Sequence, residues 1–308
     1  MHHKEFLLRG EMLKARVIAL GFFDGVHLGH GALLERIAAL GKEYGVPTAA
    51  LTFDIHPDEL VRQEPVLLLN SRQEREQLVK TLYGIDELLT IHFDRQRMEQ
   101  PWEDFVEQTL LREYGAVHLV CGYDFRFGAR GAGNSALLKE YCTTRGIGCD
   151  CIPQVSVGGE AVSSTRIRHL LQEGAMEEAV ALLGHPHVIR GIVVEGRKLG
   201  RTIGIPTANV DPGEKRLMPR SGVYAAKASF EGQSRLAVVN IGNRPTVGGH
   251  RVTIEPWILD FYGDLYGKEL TLELFTFLRP ERTFENLEQL RQEILRNGEQ
   301  TRQFLKDT

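Results

Sequence analysis

The chain has 308 residues, enough for two domains of ordinary size. Hydrophobic residues make up 42% and charged residues 25%, the balance of an ordinary globular protein. A formal net charge of −4 gives no bulk pull towards nucleic acid or a membrane surface, and no apolar run is long enough to span a bilayer.

Met1-His2-His3-Lys4-Glu5 carries no signal-peptide pattern, and Cys121, Cys142, Cys149 and Cys151 form no C-x-x-C pair. The expectation is a cytoplasmic protein with free thiols and no zinc site.

Strand-like and helix-like stretches alternate from about Val17 to Leu183. Residues 16–20 read as a strand. Leu33, Leu34, Ile37 and Leu40 then recur at helical spacing, with Gly41 as C-cap. Between them lies Gly21-Phe22-Phe23-Asp24-Gly25-Val26-His27-Leu28-Gly29-His30, a strand-to-helix turn with His30 near the helix N-terminus. Free N–H groups and the positive dipole end suit phosphate there. Gly21, Gly25 and Gly29 admit a close backbone approach, and His27 and His30 supply donors to the same anion. That chemistry grips a nucleoside triphosphate and stabilises charge developing in nucleotidyl transfer. The alternative is a zinc half-site or two surface histidines; the strand, the helix and the glycines together favour phosphate.

Residues 49–53 read as a second strand. Ser71-Arg72-Gln73-Glu74 is a capping box, opening a helix with Leu78, Val79 and Leu82 that stops at Gly84. Residues 88–93 read as a strand, Pro101 starts a helix carrying Phe105, Val106 and Leu110, and residues 117–121 read as a buried strand. The alternation predicts a doubly wound parallel sheet, an α/β domain with ligands beyond the carboxyl ends of the strands. Two loops there hold candidates. In Asp54-Ile55-His56-Pro57, His56 reads as a structural hydrogen-bonding residue. In Gly122-Tyr123-Asp124-Phe125-Arg126-Phe127-Gly128, aromatics can stack on a flat ring and arginine can hold a phosphate; the alternative is a packed loop with a local Asp124–Arg126 pair. Ser163-Ser164-Thr165-Arg166-Ile167-Arg168 opens a short helix, and any of its hydroxyls could be the N-cap. Two arginines there oppose the helix dipole, which favours an anion between them and the helix.

A helix over residues 177–183 ends at Gly184, and His185-Pro186-His187 reads as a linker. The pattern then changes. Residues 188–194, 223–230, 236–241, 253–259 and 270–277 are strand-like, with a hairpin turn at Glu231-Gly232. Strands without intervening helices predict an antiparallel sheet or small barrel. A terminal helix places Leu287, Leu290 and Ile294 on one face and ends at Gly298. The stretch Gly196-Arg197-Lys198-Leu199-Gly200-Arg201-Thr202-Ile203-Gly204 is glycine-rich and basic. It could wrap a phosphate or be a solvated hairpin. Thr207 and Asn209 just after it offer oxygen ligands suited to Mg²⁺. Glu255, in Thr253-Ile254-Glu255-Pro256-Trp257, is a lone acid in an apolar strand, costly if buried; the alternative is a rim glutamate facing solvent. Pro256 points to an edge or bulge.

The motif of residues 21–30, followed by Ser-Ser-Thr-Arg-Ile-Arg at 163–168, resembles the adenylyltransferase half of bacterial bifunctional riboflavin kinase/FMN adenylyltransferases, the FAD synthetases. Pro206-Thr207-Ala208-Asn209, Leu217-Met218-Pro219-Arg220-Ser221-Gly222-Val223-Tyr224, Asn240-Ile241-Gly242-Asn243-Arg244-Pro245-Thr246 and Asp260-Phe261-Tyr262-Gly263-Asp264-Leu265-Tyr266-Gly267 resemble its kinase half. The resemblance covers nearly the whole chain. It implies an adenylyltransferase domain over residues 1–184 and a riboflavin kinase domain, a small antiparallel β-barrel with a terminal helix, over residues 185–308. It further implies that His27 and His30 hold ATP phosphates together with Gly21, Phe23, Asp24 and Gly29, and that Ser163, Ser164, Thr165 and Arg168 complete that site. Asp124, Phe125, Arg126 and Phe127 would form the flavin side. Gly196, Lys198, Gly200 and Thr202 would bind the second ATP, Thr207 and Asn209 would hold Mg²⁺, and Glu255 would be the base. Riboflavin, FMN and ATP are the implied partners and FAD the final product, with no nucleic acid or membrane.

Two departures stand out: Ile55 where the family usually has proline, and Arg130-Gly131-Ala132-Gly133-Asn134 where it often has Arg-Arg-Gly-Asp. The second removes charge near the flavin side. Two other readings stay open: transfer to another acceptor, such as a phosphopantetheine or choline-like phosphate, or a flavin-binding regulator with a degenerate catalytic half.

Overall fold

The computed structural model describes residues 15–196, 199–213, 216–246 and 249–306. The chain forms two compact units, one of residues 1–66 and 75–162, the other of residues 67–74 and 163–308.

The first unit runs β1 (Arg16–Leu20), α1 (Leu28–Tyr44), β2 (Thr48–Phe53), α2 (Pro57–Arg62), α3 (Arg72–Tyr83, its first turn in the second unit), β3 (Glu87–Ile91), α4 (Arg95–Met98), α5 (Trp102–Asp104), β4 (Ala116–Gly122), β5 (Arg126–Phe127), β6 (Gly133–Asn134), α6 (Ser135–Thr144), β7 (Gly148–Ile152), β8 (Ser156–Val157) and β9 (Glu160–Ala161). Five strands form a parallel sheet in the order β3-β2-β1-β4-β7. The order reverses at β1, so the switch point lies where β1 and β4 end side by side. The central strands are largely apolar because helices cover both faces: Val17, Ile18, Ala19, Ala49, Ala50, Leu119 and Val120 are buried.

Several predicted details shift. Gly41 is buried inside α1, where a β-carbon would lie 2.3 Å from Cγ2 of Thr48; the left-handed C-cap is Gly45. Leu82 faces solvent. The helix carrying Phe105, Val106 and Leu110 is π-helical over Phe105–Glu113, closed by a bond from the Tyr114 N–H to the Thr109 carbonyl.

The second unit runs α7 (Ser164–Glu173), α8 (Met176–Leu183), β10 (His187–Val194), α9 (Leu199–Thr202), β11 (Asn209–Asp211), β12 (Gly222–Phe230), β13 (Gln233–Thr246), β14 (Gly249–Ile258), β15 (Glu269–Arg279) and α10 (Leu287–Phe304). Its strands close an antiparallel barrel in the order β10-β11-β14-β13-β12-β15. The hairpin turn at Glu231 and Gly232 has positive φ at both residues, as a tight hairpin requires. β11 is a sixth strand that the sequence pattern does not announce, because only three residues pair. α7 and α8 precede the barrel yet belong to its unit, since Met176, Ala179, Leu182 and Leu183 are buried and α8 packs on β10 and β15.

His185 and His187 are not a solvated linker. Both are buried, and His187 opens β10, paired with Leu274. α10 does not stop at Gly298. That glycine is buried mid-helix because the Trp257 ring packs there, and a β-carbon would lie 2.8 Å from it. Leu287 is exposed, and the buried face at this end is Asn297, Gly298 and Thr301.

Candidate active sites

In the first unit the turn after β1 is strained and clamped. Phe23 and Val26 sit at φ 59° and 44°. A left-handed conformation is a genuine outlier for a β-branched residue, and each such residue costs on the order of 1–3 kcal/mol unless its surroundings enforce it. The surroundings do. Thr52 Oγ1 donates to the Phe22 carbonyl at 2.8 Å, and Arg75 Nη1 donates to the same oxygen at 2.6 Å.

His27 is the N-cap of α1. Its Nδ1 accepts the His30 backbone N–H at 3.3 Å. An accepting Nδ1 leaves the proton of a neutral ring on Nε2, so Nε2 is the donor His27 can offer an anion. The two imidazoles stack, centroids 3.7 Å apart. Gly29 permits this, since a β-carbon there would lie 3.1 Å from the His27 ring. Burial, then His27, then Arg75 push the His30 pKa well below its ordinary value, so His30 is neutral. Its Nδ1 is buried without a hydrogen-bond partner among the described residues. Asp24 is buried in the same turn.

A cleft of about 1030 Å³ opens beyond the carboxyl ends of β2 and β3. Phe53, Phe93, Phe105 and Phe127 line it, with Arg95 and Arg126 at its walls. Phe53 and Phe93 lie 4.8 Å apart by centroids, and Phe105 and Phe127 lie 5.8 Å apart. Of the residues expected on the flavin side, Arg126 and Phe127 line this cleft; Asp124 and Phe125 do not, although Phe125 stacks on Phe127 at 5.2 Å. No ion pair joins Asp124 and Arg126 among the described residues. The stretch that departs from the family builds this wall. Gly133 pairs with Phe127 and makes room for its ring, while Asn134 caps α6. His56 is structural as expected: its Nδ1 caps α2, accepting from the Asp58 N–H at 3.2 Å.

In the second unit Ser163 is the N-cap of α7, its hydroxyl accepting the Arg166 N–H at 3.3 Å. Ser164 is half-buried and Thr165 exposed in the first turn. Arg168 donates from Nε to the Leu67 carbonyl at 3.1 Å.

The barrel brings its candidates together through strand register. Val210 pairs with Ile254, so Asn209 lies one step along, across from Glu255; the Ala208 N–H donates to the Pro256 carbonyl at 2.9 Å beyond them. Val210 and Ile254 face the barrel core, which turns Asn209 and Glu255 to its outer face. Glu255 pairs on its other side with Asn240, whose Nδ2 donates to Glu281 at 3.4 Å. Gly196 packs directly on the Asn209 amide. Gly200 lies in a helical turn rather than a hairpin, its carbonyl bonded to the Ile205 N–H at 2.8 Å. Thr202 is exposed in that turn, and Lys198 lies outside the described residues. Thr207 lines a small cleft with Pro206, Pro256, Phe261 and Tyr266.

Comparison with known proteins agrees with both halves. The FAD synthetase family matches residues 10–166, and the riboflavin kinase family matches residues 183–305. Bifunctional riboflavin kinase/FMN adenylyltransferases from Listeria monocytogenes and Escherichia coli K12 are each 36% identical over 94% of this chain and 92% of their own. The Pseudomonas fluorescens enzyme of that name is 37% identical over 90% of this chain and 89% of its own. The chain belongs to the bifunctional riboflavin kinase/FMN adenylyltransferase family. A crystal structure named as a macrolide-efflux protein of Streptococcus pneumoniae shares the fold, with a TM-score of 0.83 and 30% identity over 95% of each chain. No helix among the described residues of this family member is long and apolar enough to cross a membrane.

Sequence reasoning missed Phe53, Phe93, Phe105 and Arg95 as cleft residues, and Arg75 beneath the histidine turn. Phe53 and Phe93 carried a usable signal: each stands at or just past the end of a sheet strand. Arg75 carried none, since a charged residue one place after a capping box reads as helix surface.

Proposed function

We propose that this chain makes FAD from riboflavin in two steps, one in each unit. In the barrel, the riboflavin 5′-hydroxyl attacks the γ-phosphorus of ATP. Glu255 orients that hydroxyl and takes its proton, and ADP leaves with FMN formed. Asn209 and Thr207 supply oxygen donors for Mg²⁺ beside Glu255. With neutral ligands only, the ion would be carried largely by the ATP phosphates, whose charge it neutralises. Gly196, Gly200, Thr202 and Lys198 are the proposed phosphate side of that ATP.

In the first unit, a phosphate oxygen of FMN attacks the α-phosphorus of a second ATP, and pyrophosphate leaves. The flavin phosphate is the nucleophile, so none is required of the protein. His27 offers its Nε2–H and the α1 N-terminus its N–H groups to the phosphates. Gly21, Phe23, Asp24 and Gly29 shape the turn. The aromatic cleft with Arg126 and Phe127 is the proposed seat of the flavin ring, against which its aromatic side chains can pack. Ser163, Ser164, Thr165 and Arg168, at the start of α7, are proposed to bind phosphate, and the division of function along the sequence is proposed to fall at residues 184/185. Free cysteines fit work in the reducing cytoplasm.

The observation that carries this reading is the cross-strand placement of Asn209 against Glu255. A nucleotidyltransferase for another acceptor has no use for that second constellation. The test is chromatography over time of the full chain with riboflavin, ATP and Mg²⁺. FMN followed by FAD is expected. FMN alone would overturn the adenylyltransferase half, and neither product would overturn both.

A further inference from the structure

Arg75 is the bulkiest fully buried side chain among the described residues, at 1% exposure. It stands one turn into α3 and reaches under the strand-to-helix turn after β1. Its guanidinium makes three contacts there, two of them to Phe22. Nη1 donates to the Phe22 carbonyl at 2.6 Å and to Thr52 Oγ1 at 3.2 Å, and the guanidinium carbon lies 4.5 Å from the centroid of the Phe22 ring. Thr52 Oγ1 donates to the same carbonyl at 2.8 Å.

Two consequences follow from elementary geometry and charge. A trans peptide holds its C=O and the next N–H antiparallel, and no cis peptide is present among the described residues. Drawing the Phe22 carbonyl down to Arg75 therefore turns the Phe23 N–H the opposite way. Guanidinium also remains charged at every accessible pH and presents a rigid fork of donors, which an ammonium does not. A permanent cation beneath the turn adds to the field of the α1 N-terminus and disfavours a second positive charge on the stacked imidazoles.

We propose that Arg75 is a positioning residue for adenylyl transfer: it fixes the Phe22–Phe23 peptide, and with it the strained turn that leads into His27 and His30, and it holds a fixed positive charge beneath that turn. This rests on the adenylyltransferase reading of the first unit. Arg75 touches no reacting atom. It acts through the turn, so its loss lowers the rate of the step more than the occupancy of the site.

The test uses the full chain and two variants, Arg75→Met and Arg75→Lys. FMN plus ATP gives kcat and KM for FAD formation, and riboflavin plus ATP gives FMN formation in the same preparation. In Arg75→Met, kcat for FAD formation should fall about 30-fold, the loss expected for one charge-assisted hydrogen bond. KM for ATP should move less than kcat, and FMN formation should stay within about twofold. Arg75→Lys keeps the charge but not the fork, so it should recover part of the rate. Wild-type kcat and KM in Arg75→Met would overturn the inference, as would an equal fall in both activities or Arg75→Lys no better than Arg75→Met. If the wild-type chain makes no FAD from FMN, the adenylyltransferase reading itself fails, a result distinct from these.

Discussion

Gly196→Ala should separate the two activities by a displacement of about one ångström. A β-carbon on Gly196 would lie 2.1 Å from Nδ2, 2.4 Å from Cγ and 2.7 Å from Oδ1 of Asn209. Carbon seldom tolerates less than roughly 3.5 Å from a non-bonded heavy atom, so the amide must retreat by more than about 1 Å. The backbone at Gly196 is not left-handed and accepts alanine. Strand pairing of Asn209 with Val194, and of Val210 with Ile254, holds the Asn209 backbone, so its side chain must turn. Overpacking of this kind destabilises by about 1–3 kcal/mol, which a folded unit can survive. Misplacing a group that aligns reactants by that distance costs about 100-fold in rate. FMN formation should therefore fall about 100-fold while FAD formation from supplied FMN is unchanged. Asn209→Ala should remove most of the same rate, and the double variant should lose little more than either single one. Wild-type FMN formation in Gly196→Ala, or simple additivity with Asn209→Ala, would refute the reasoning.

Glu255→Gln should lower FMN formation by about a hundredfold to ten-thousandfold and spare FAD formation from FMN; His27→Ala with His30→Ala should do the reverse in paired assays. Arg216 and Glu74 form an ion pair with side chains 4% and 0% exposed, and Glu74 also accepts the Arg190 N–H at 2.6 Å. Arg216→Met leaves that carboxylate buried and should cost about 3–5 kcal/mol in denaturant unfolding, with part restored by adding Glu74→Gln. Burial, then the Arg216 charge, then His185 hold His187 neutral with a pKa of about 3. The unfolded chain takes up that proton near pH 6.5. Stability should then be full above about pH 6.5 and decline as pH falls towards 3, by about 2 kcal/mol at pH 5. An unchanged slope between pH 7.5 and 5 in His187→Leu would refute that assignment.

Local pattern alone determined much of this protein. The strand before His27, the helix after it and the capping box at Ser71–Glu74 follow from apolar spacing, glycine and short-range hydrogen bonding, and each stands where expected. The change from alternating elements to consecutive strands announced the second architecture, because a period of two and a period of 3.6 differ over a few residues. Contacts across long separations were decided elsewhere. Gly298 reads as a helix stop until the Trp257 ring fills its place, and His185 and His187 read as linker until β15 pairs with β10. β11 is too short to carry a period, yet its register sets Asn209 against Glu255, 46 positions apart by number. Arg75 looks like helix surface in sequence and lies under the histidine turn in the fold. Sequence records which chemistry is present and the local shape that carries it. Only tertiary packing decides which groups lose water and meet, since burial depends on what the rest of the chain brings to each face.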